Sequence, residues 1–347
     1  MPTPQQHKDA VKARAIALGF DAFGVAALPD AEPRSERFLQ WLACGAHGQM
    51  SWLERSNERR LFPKNILPGA RSVICVGVNY FRQPPPTVGA GTLARYAAGR
   101  DYHRVLFKRQ KQLCAFLREL GGENKPYVDT GPVLEKAFAE RAGLGWQGKS
   151  SLLISERFGP WLMLGVIFTT LELPPDAPSI NRCGSCRRCA DACPTGALDG
   201  AGFLDARRCL AYLTIEHKGP LSDAQQDAMG GCLLGCDRCA QACPWGRHCP
   251  SLPTLSDALA EPVALPDMLA WDEARFRAHF AGTAALRPGW DGWQRNLLAV
   301  LGNIGEADAL APLEHWARTH ADSALHPAAV RAVAKIRQRI PTLLSTP

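Results

Sequence analysis

The stretch CGSCRRCADACP sets Cys183, Cys186, Cys189 and Cys193 in the spacing C-x2-C-x2-C-x3-C-P. Cysteines this close direct three thiolates at one iron–sulfur cubane. The fourth, placed before Pro194, points away and serves a second cluster. The pattern recurs: after Cys209, the run GCDRCAQACP brings Cys236, Cys239 and Cys243 before Pro244. The symmetry of the two halves predicts crossed ligand sets for two 4Fe-4S clusters. The first takes Cys183, Cys186, Cys189 and Cys243, and the second takes Cys193, Cys209, Cys236 and Cys239. C-x2-C pairs also open zinc ribbons, but zinc requires neither the four-cysteine run nor the doubled proline. Cys232 and Cys249 match neither half-motif. Cys44, Cys75 and Cys114 lie in apolar settings and are expected in the core.

The thirteen cysteines carry this meaning only where thiols stay reduced. The start, MPTPQQHKDAVKARA, has no apolar segment of the signal-peptide kind. WLMLGVIF, the longest apolar stretch, is too short to span a bilayer. A cytoplasmic protein with no membrane segment is expected, with metal rather than disulfide chemistry. The chain is 46% hydrophobic over 347 residues, enough for two or three globular domains. Its net charge of +7 is uneven: residues 1–120 hold 18 Lys and Arg against 9 Asp and Glu. Much of that excess lies in RYAAGRDYHRVLFKRQKQLCAFLREL, a helical pattern with Leu106, Leu113, Leu117 and Leu120 on its buried face. Its cations read as a solvated face or as a surface for a polyanion such as RNA.

GLGWQGKS, residues 143–150, fits the phosphate-loop pattern G-x-x-x-x-G-K-[ST], yet its flanks are reversed. VLEKAFAERA before it has helical spacing and Gly143 suits a helix C-cap. The runs SSLLIS and WLMLGVIFTTLEL after it read as a hairpin turning at Gly159-Pro160. A phosphate loop needs a strand before and a helix after, so no nucleotide site is expected. Elsewhere, residues 5–18 read as a helix, FDAFGVAAL and RSVICVGVNY as strands, and FRQPPPTVGAGT as a loop. Proline-rich connectors end near residue 180 and follow Cys249. From about residue 268 the pattern is all-helical, with pairs of HEAT-repeat length. The expected fold is α+β and multidomain: an α/β domain over 1–178, a ferredoxin-like two-cluster domain over 179–255, and a HEAT-like helical domain over 256–347. Clusters move single electrons, so the chain is either a ferredoxin-type carrier or an enzyme. The extra domains favour the enzyme.

In LPGARSVICVGVNY, RYAAGRDYHRVL, YVDTGPVLEKAFAERAGLGWQGKSSLLI, DARRCLAYLTIEHKG, RNLLAVLGNIG and both cysteine runs, the chain resembles the epoxyqueuosine reductases. These are cobalamin-dependent iron–sulfur enzymes that complete queuosine in tRNA. The alternative of this kind is a cobalamin-dependent reductase of another substrate, such as a reductive dehalogenase. The resemblance implies cobalamin between the N-terminal domain and the clusters. It also implies a helical domain touching the anticodon stem-loop, a low-potential electron donor and a monomer. DYHRVL lacks the glycine of the D-x-H-x-x-G signature, consistent with a cofactor bound without a histidine ligand. GKSS stands where the family usually has G-K-N, and RLFP where R-x-D-P is common. Low-valent cobalt would open the epoxide and water would leave. Asp129 in YVDTGP is the expected proton donor, with a pKa raised by burial; the competing reading is a helix N-cap. Arg60, Arg95, Tyr96, Leu153, Leu164, Tyr212 and Thr214 are expected at the cobalamin, with Leu153 and Leu164 on the two hairpin arms. His103, Lys108, Lys218 and Arg295 are expected at the RNA.

Overall fold

The computed structural model describes residues 2–55, 57–251 and 263–344. Its first half runs α1 (Pro4–Ala17), β1 (Ala22–Ala27), α2 (Ser35–Ala43), α3 (Asn57–Leu61), β2 (Ser72–Asn79), β3 (Thr87–Val88) and β4 (Gly91–Leu93). It continues through α4 (Tyr102–Glu119), β5 (Asn124–Tyr127), α5 (Glu135–Arg141), β6 (Trp146–Gln147), β7 (Leu153–Ile154) and β8 (Leu162–Thr169). Four strands form one sheet in the order β1-β2-β8-β5, every neighbouring pair antiparallel. Antiparallel sheets often wet one face, but this one has helices on both. Ile74, Val76 and Val78 of β2 join a core with Val11 of α1 and Leu106 and Leu113 of α4. Val73 and Cys75, pointing the other way, meet Phe138 and Ala139 of α5. That is why SVICVGVN is apolar almost throughout rather than alternating.

Helix α5 ends at Arg141 and Gly143 follows with φ 75°, a left-handed turn that a glycine makes without strain. β6 and β7 then pair with each other. GLGWQGKS is therefore a helix-to-strand turn, as its flanks require. The hairpin between LLIS and WLMLGVIF does not form as a ladder. Only Ser155 and Gly159 bridge at the turn, because β8 spends both its edges on the longer partners β2 and β5. FRQPPPTVGAGT is not all loop either: β3 and β4 make a short hairpin inside it.

The second half runs α6 (Arg188–Asp191), α7 (Leu210–Ile215), α8 (Asp223–Met229), β9 (Cys232–Leu234), α9 (Arg238–Gln241), α10 (Glu273–His279), α11 (Gly289–Ile304), α12 (Leu310–Thr319) and α13 (His326–Leu344). α6 and α9 hold Cys189 and Cys239 at equivalent places in the two motifs, and they touch. β4 pairs with β9 in parallel, tying the first half to the cysteine region. α11 packs on α8 and α13, and α12 packs on α13. One core joins Leu93, Leu213, Met229 and Leu233 to Trp293, Leu297, Leu313 and Ile336. The cysteine region and the C-terminal helices thus share their apolar interior. Trp293 is fully buried there, and its truncation to Ala would cost about 3–5 kcal/mol. Every described regular element beyond residue 263 is helical. The second proline-rich connector and the boundary expected at 255–256 fall mostly outside the described residues. Among the described residues no helix is long and apolar enough to cross a membrane.

Candidate redox site

The eight motif cysteines are free, half-buried thiols. Cys243 lies within the electrostatic reach of Cys183, Cys186 and Cys189. Cys209 feels Cys193, and Cys239 feels both of these; Cys236 neighbours Cys239. The fold thus brings the cysteines of both motifs into one region, and Cys239 senses Cys189 as well as Cys193 and Cys209. Four soft thiolates per set suit an iron–sulfur cubane. Among the described residues no three His, Cys, Asp or Glu converge on one ion; a cubane is wider than an ion and needs its thiolates spread. Of the other cysteines, Cys232 shares a hydrogen bond with Cys236. Cys249 is buried with its thiol toward Asn79 Oδ1 at 3.6 Å. Cys75 and Cys114 are buried as expected, but Cys44 is exposed, its thiol donating to the Trp41 carbonyl at 3.3 Å at the end of α2.

The phosphate-loop look-alike has its use here. Lys149 Nζ donates to the carbonyls of Gly184 at 2.7 Å and Cys186 at 3.1 Å, so it grips the loop that carries the first thiols. Trp146 Nε1 donates to Cys183 Sγ at 3.4 Å. A Cβ on Gly148 would come within 2.7 Å of Ile154 and 3.4 Å of Cys183 Sγ. The glycine, the lysine and the indole together form a seat for the first cysteine set. N–H donors and a cation beside thiolates are among the features that set a cluster's potential.

Two adjoining cavities of about 420 and 640 Å3 share Met50, Asp129, Leu204 and Ala206. Together they form a crevice with Asp129 at its junction. Phe38, Trp41 and Val133 line one arm; Tyr96, Cys209 and Tyr212 line the other. A thiol of the second set therefore reaches the crevice wall. Asp129 has φ 57°, a left-handed conformation that Asp and Asn tolerate better than most residues. It is no helix cap: α5 has Leu134 at its N-cap. Instead its backbone N–H donates to Glu135 Oε1 at 2.8 Å. Its Oδ2 accepts from Tyr102 Oη at 2.8 Å and meets His103 Nε2 at 3.1 Å. Asp101, the N-cap of α4, holds the other ring nitrogen of His103 at 2.8 Å.

The charges follow from these contacts. Burial would raise the Asp129 carboxyl, but the His103 and Tyr102 hydrogen bonds outweigh it and hold it below the usual range. The raised pKa expected for Asp129 is therefore corrected: with its carboxyl held low, it is a carboxylate at neutral pH. Burial opposes the His103 charge, yet hydrogen bonds to Asp101 and Asp129 prevail and lift it to about 9. Glu135 is pushed up to about 8, by burial first and by the Asp129 charge second. At neutral pH the protons around Asp129 are thus stored on His103, Glu135 and Tyr102.

Several residues expected at the cofactor or the RNA have other duties. Arg95 is 3% exposed, bound to the Arg82 carbonyl and to Asp237, with its guanidinium 4.8 Å over Trp161. Arg60 is buried and donates to the Leu53 carbonyl at 3.2 Å. Thr214 is fully buried, bridging the Leu210 carbonyl and the Gly235 N–H. Leu153 is core, and Leu164 packs against core on both sheet faces. Arg295 is buried and donates to the carbonyls of Leu213, His217 and Gly219. The arginines and Thr214 are structural because buried partners already take up their hydrogen-bonding groups. Tyr96, Tyr212 and His103 do line the crevice. Lys108 and Lys218 are exposed; Lys218 Nζ also donates to the Pro288 carbonyl at 3.2 Å. Tyr102, Glu135 and Arg287 belong to the crevice but carry no motif of their own. The one available signal was that Tyr102 and His103 directly follow the capping Asp101.

A crevice with the motif cysteine Cys209 in its wall and proton-holding groups beside Asp129 fits an iron–sulfur oxidoreductase. Residues 182–246 match the family described as 4Fe-4S double cluster binding domain. Residues 60–130 match that described as Epoxyqueuosine reductase QueG, DUF1730. The epoxyqueuosine reductase of Vibrio cholerae serotype O1 is 36% identical over 340 residues, covering 90% of this chain and 91% of that one. An epoxyqueuosine reductase solved with a tRNA-Tyr epoxyqueuosine-modified stem loop aligns with TM-score 0.86 at 28% identity, over 99% of this chain and 96% of that one. The Bacillus subtilis enzyme, solved with its aspartate catalytic loop swung out of the active site, aligns with TM-score 0.84 at 28% identity, covering 96% and 91%. The chain belongs to the epoxyqueuosine reductase family.

Proposed function

We propose that this chain reduces epoxyqueuosine to queuosine in a tRNA anticodon, taking up two electrons and two protons and releasing the epoxide oxygen as water. The observation that carries the reading is Asp129, set at the junction of the crevice with Cys209 in the same wall. Two 4Fe-4S clusters are held by Cys183, Cys186, Cys189 and Cys243, and by Cys193, Cys209, Cys236 and Cys239. The apolar crevice around Phe38, Trp41, Val133 and Leu204 suits the corrin of cobalamin, which supplies a low-valent cobalt reductant when bound. Residues 1–178 hold that cofactor, 179–255 the clusters, and 256–347 a HEAT-like surface for the stem-loop. The protein works as a cytoplasmic monomer fed by a low-potential donor.

Asp129 delivers the proton to the developing alkoxide, and the pair Asp129–His103 acts as a unit. In the resting state the proton sits on His103 Nε2, 3.1 Å from Asp129 Oδ2. As negative charge grows on the epoxide oxygen, Asp129 takes the proton from His103 Nε2 and passes it on to that oxygen. Tyr102 Oη fixes the carboxylate during the exchange. Asp129→Asn tests this, since Asn accepts the same hydrogen bonds and tolerates the same φ. Stem-loop affinity and iron content should stay at the wild-type level while single-turnover rate falls by roughly 10²–10⁴-fold. Wild-type turnover in Asp129→Asn would remove Asp129 from the chemistry.

A further inference from the structure

A depression of about 680 Å3 lies beside the first cysteine run, lined by Cys183, Cys186, Arg187, Arg188, Asp191 and Arg247 among others. It shares no lining residue with the crevice at Asp129. Arg187, Arg188 and Arg247 are all exposed. Arg187 is only loosely paired with Asp191 at 3.9 Å. Among the described residues Arg188 and Arg247 form no ion pair. Next to them Arg182 stays half in solvent on a surface contact with Glu156. The cations therefore outnumber the acids at an opening lined by Cys183 and Cys186 of the first set, whereas Cys209 of the second set lines the crevice at Asp129.

This separation divides the partners. RNA must bring its modified base to Asp129. A reductant gains most by approaching Cys183 and Cys186, and it needs only the small, polar, salt-sensitive contact typical of redox encounters. We infer that the arginine-rimmed depression is the docking site of an acidic one-electron carrier protein. The inference rests on the two-cluster reading above. In each encounter the carrier loses one electron and the first cluster gains one; two encounters supply the electron pair for one epoxide.

The test uses the full chain with its clusters reconstituted and, as probe, a flavodoxin with carboxylates around its flavin. Affinity is measured by calorimetry at low and high salt. The reduction rate is read from the loss of visible cluster absorbance after mixing with flavodoxin hydroquinone. In Arg187→Glu/Arg188→Glu/Arg247→Glu, both affinity and second-order rate should fall at least about tenfold at low salt, and the gap should close at high salt. Arg247→Glu alone, outside both cysteine runs, should show a smaller loss of the same kind. Methyl viologen radical cation should bleach all three proteins, which shows that the variants keep their clusters. Unchanged flavodoxin affinity and rate in both variants would overturn the inference, as would a loss confined to tRNA stem-loop affinity. Failure of viologen to bleach the wild type would instead strike down the two-cluster reading and the inference with it.

Discussion

Replacing Asp129 by Asn should change the titration of His103. The imidazole lies between Asp101 at 2.8 Å and Asp129 at 3.1 Å, and it titrates at about 9 rather than the ordinary 6.5. A difference of that size equals about 3 kcal/mol of preference for the imidazolium. The site is half open, and solvent screening reduces the net contribution to ~1–2 kcal/mol. Because the folded value is raised, this stability is fully present below about 6.5 and is lost as pH climbs through about 9. Asp129→Asn removes one of the two carboxylates, and Asp101, the stronger partner, remains. The midpoint should therefore drop part of the way toward 6.5. The assay is the pH dependence of the His103 ring signals by NMR, with urea unfolding at pH 6.5 and 9 beside it. Wild-type protein should lose more stability over that interval than the variant. A wild-type midpoint at or below 6.5, or an identical midpoint in Asp129→Asn, would refute the charge arrangement assigned to the crevice.

Three further outcomes follow from the packing. Lys149→Ala frees the Gly184 and Cys186 carbonyls, so the variant should lose iron from its first cluster faster in air, read by iron analysis and EPR; ATP should not bind to either protein. Arg295→Ala leaves buried carbonyls of Leu213, His217 and Gly219 without a donor and should lower stability by about 3 kcal/mol or more in urea unfolding. Lys108→Ala should leave stability unchanged and, if Lys108 meets a phosphate, reduce the salt slope of stem-loop binding by about one.

The sequence announces what is local and hides what is tertiary. Most cysteines of the two motifs fall within short runs of chain, so their spacing announces a double-cluster domain, and residues 182–246 match one. Strand β2 is legible because both its faces are apolar. The turn at Gly143 is legible because a left-handed residue must follow α5. Arg95, Arg295 and Thr214 misled for the opposite reason. Arg95 and Arg295 bind carbonyls and an aspartate that lie elsewhere along the chain, Thr214 joins a nearby carbonyl to the distant Gly235 N–H, and an arginine that clamps buried carbonyls looks the same on paper as one that greets RNA. The ionisation of Asp129 was also out of reach. It depends on Tyr102 and His103, 27 and 26 residues away, brought beside it when α4 packs against β5. The hairpin expected between the runs of Leu153 and Leu164 does not form because strand pairing is settled by competition: β8 has better partners in β2 and β5 than in β7.

The account stands most directly on conversion of the modified base. Reconstituted protein with cobalamin, a strong one-electron reductant and an epoxyqueuosine-containing stem-loop should be incubated without oxygen. Nucleosides from the digested RNA are then weighed by mass spectrometry. Loss of one oxygen from the modified nucleoside, at the rate its clusters are turned over, is the predicted result. Clusters that are reduced and a stem-loop that is bound, with the epoxide left intact, would contradict the account.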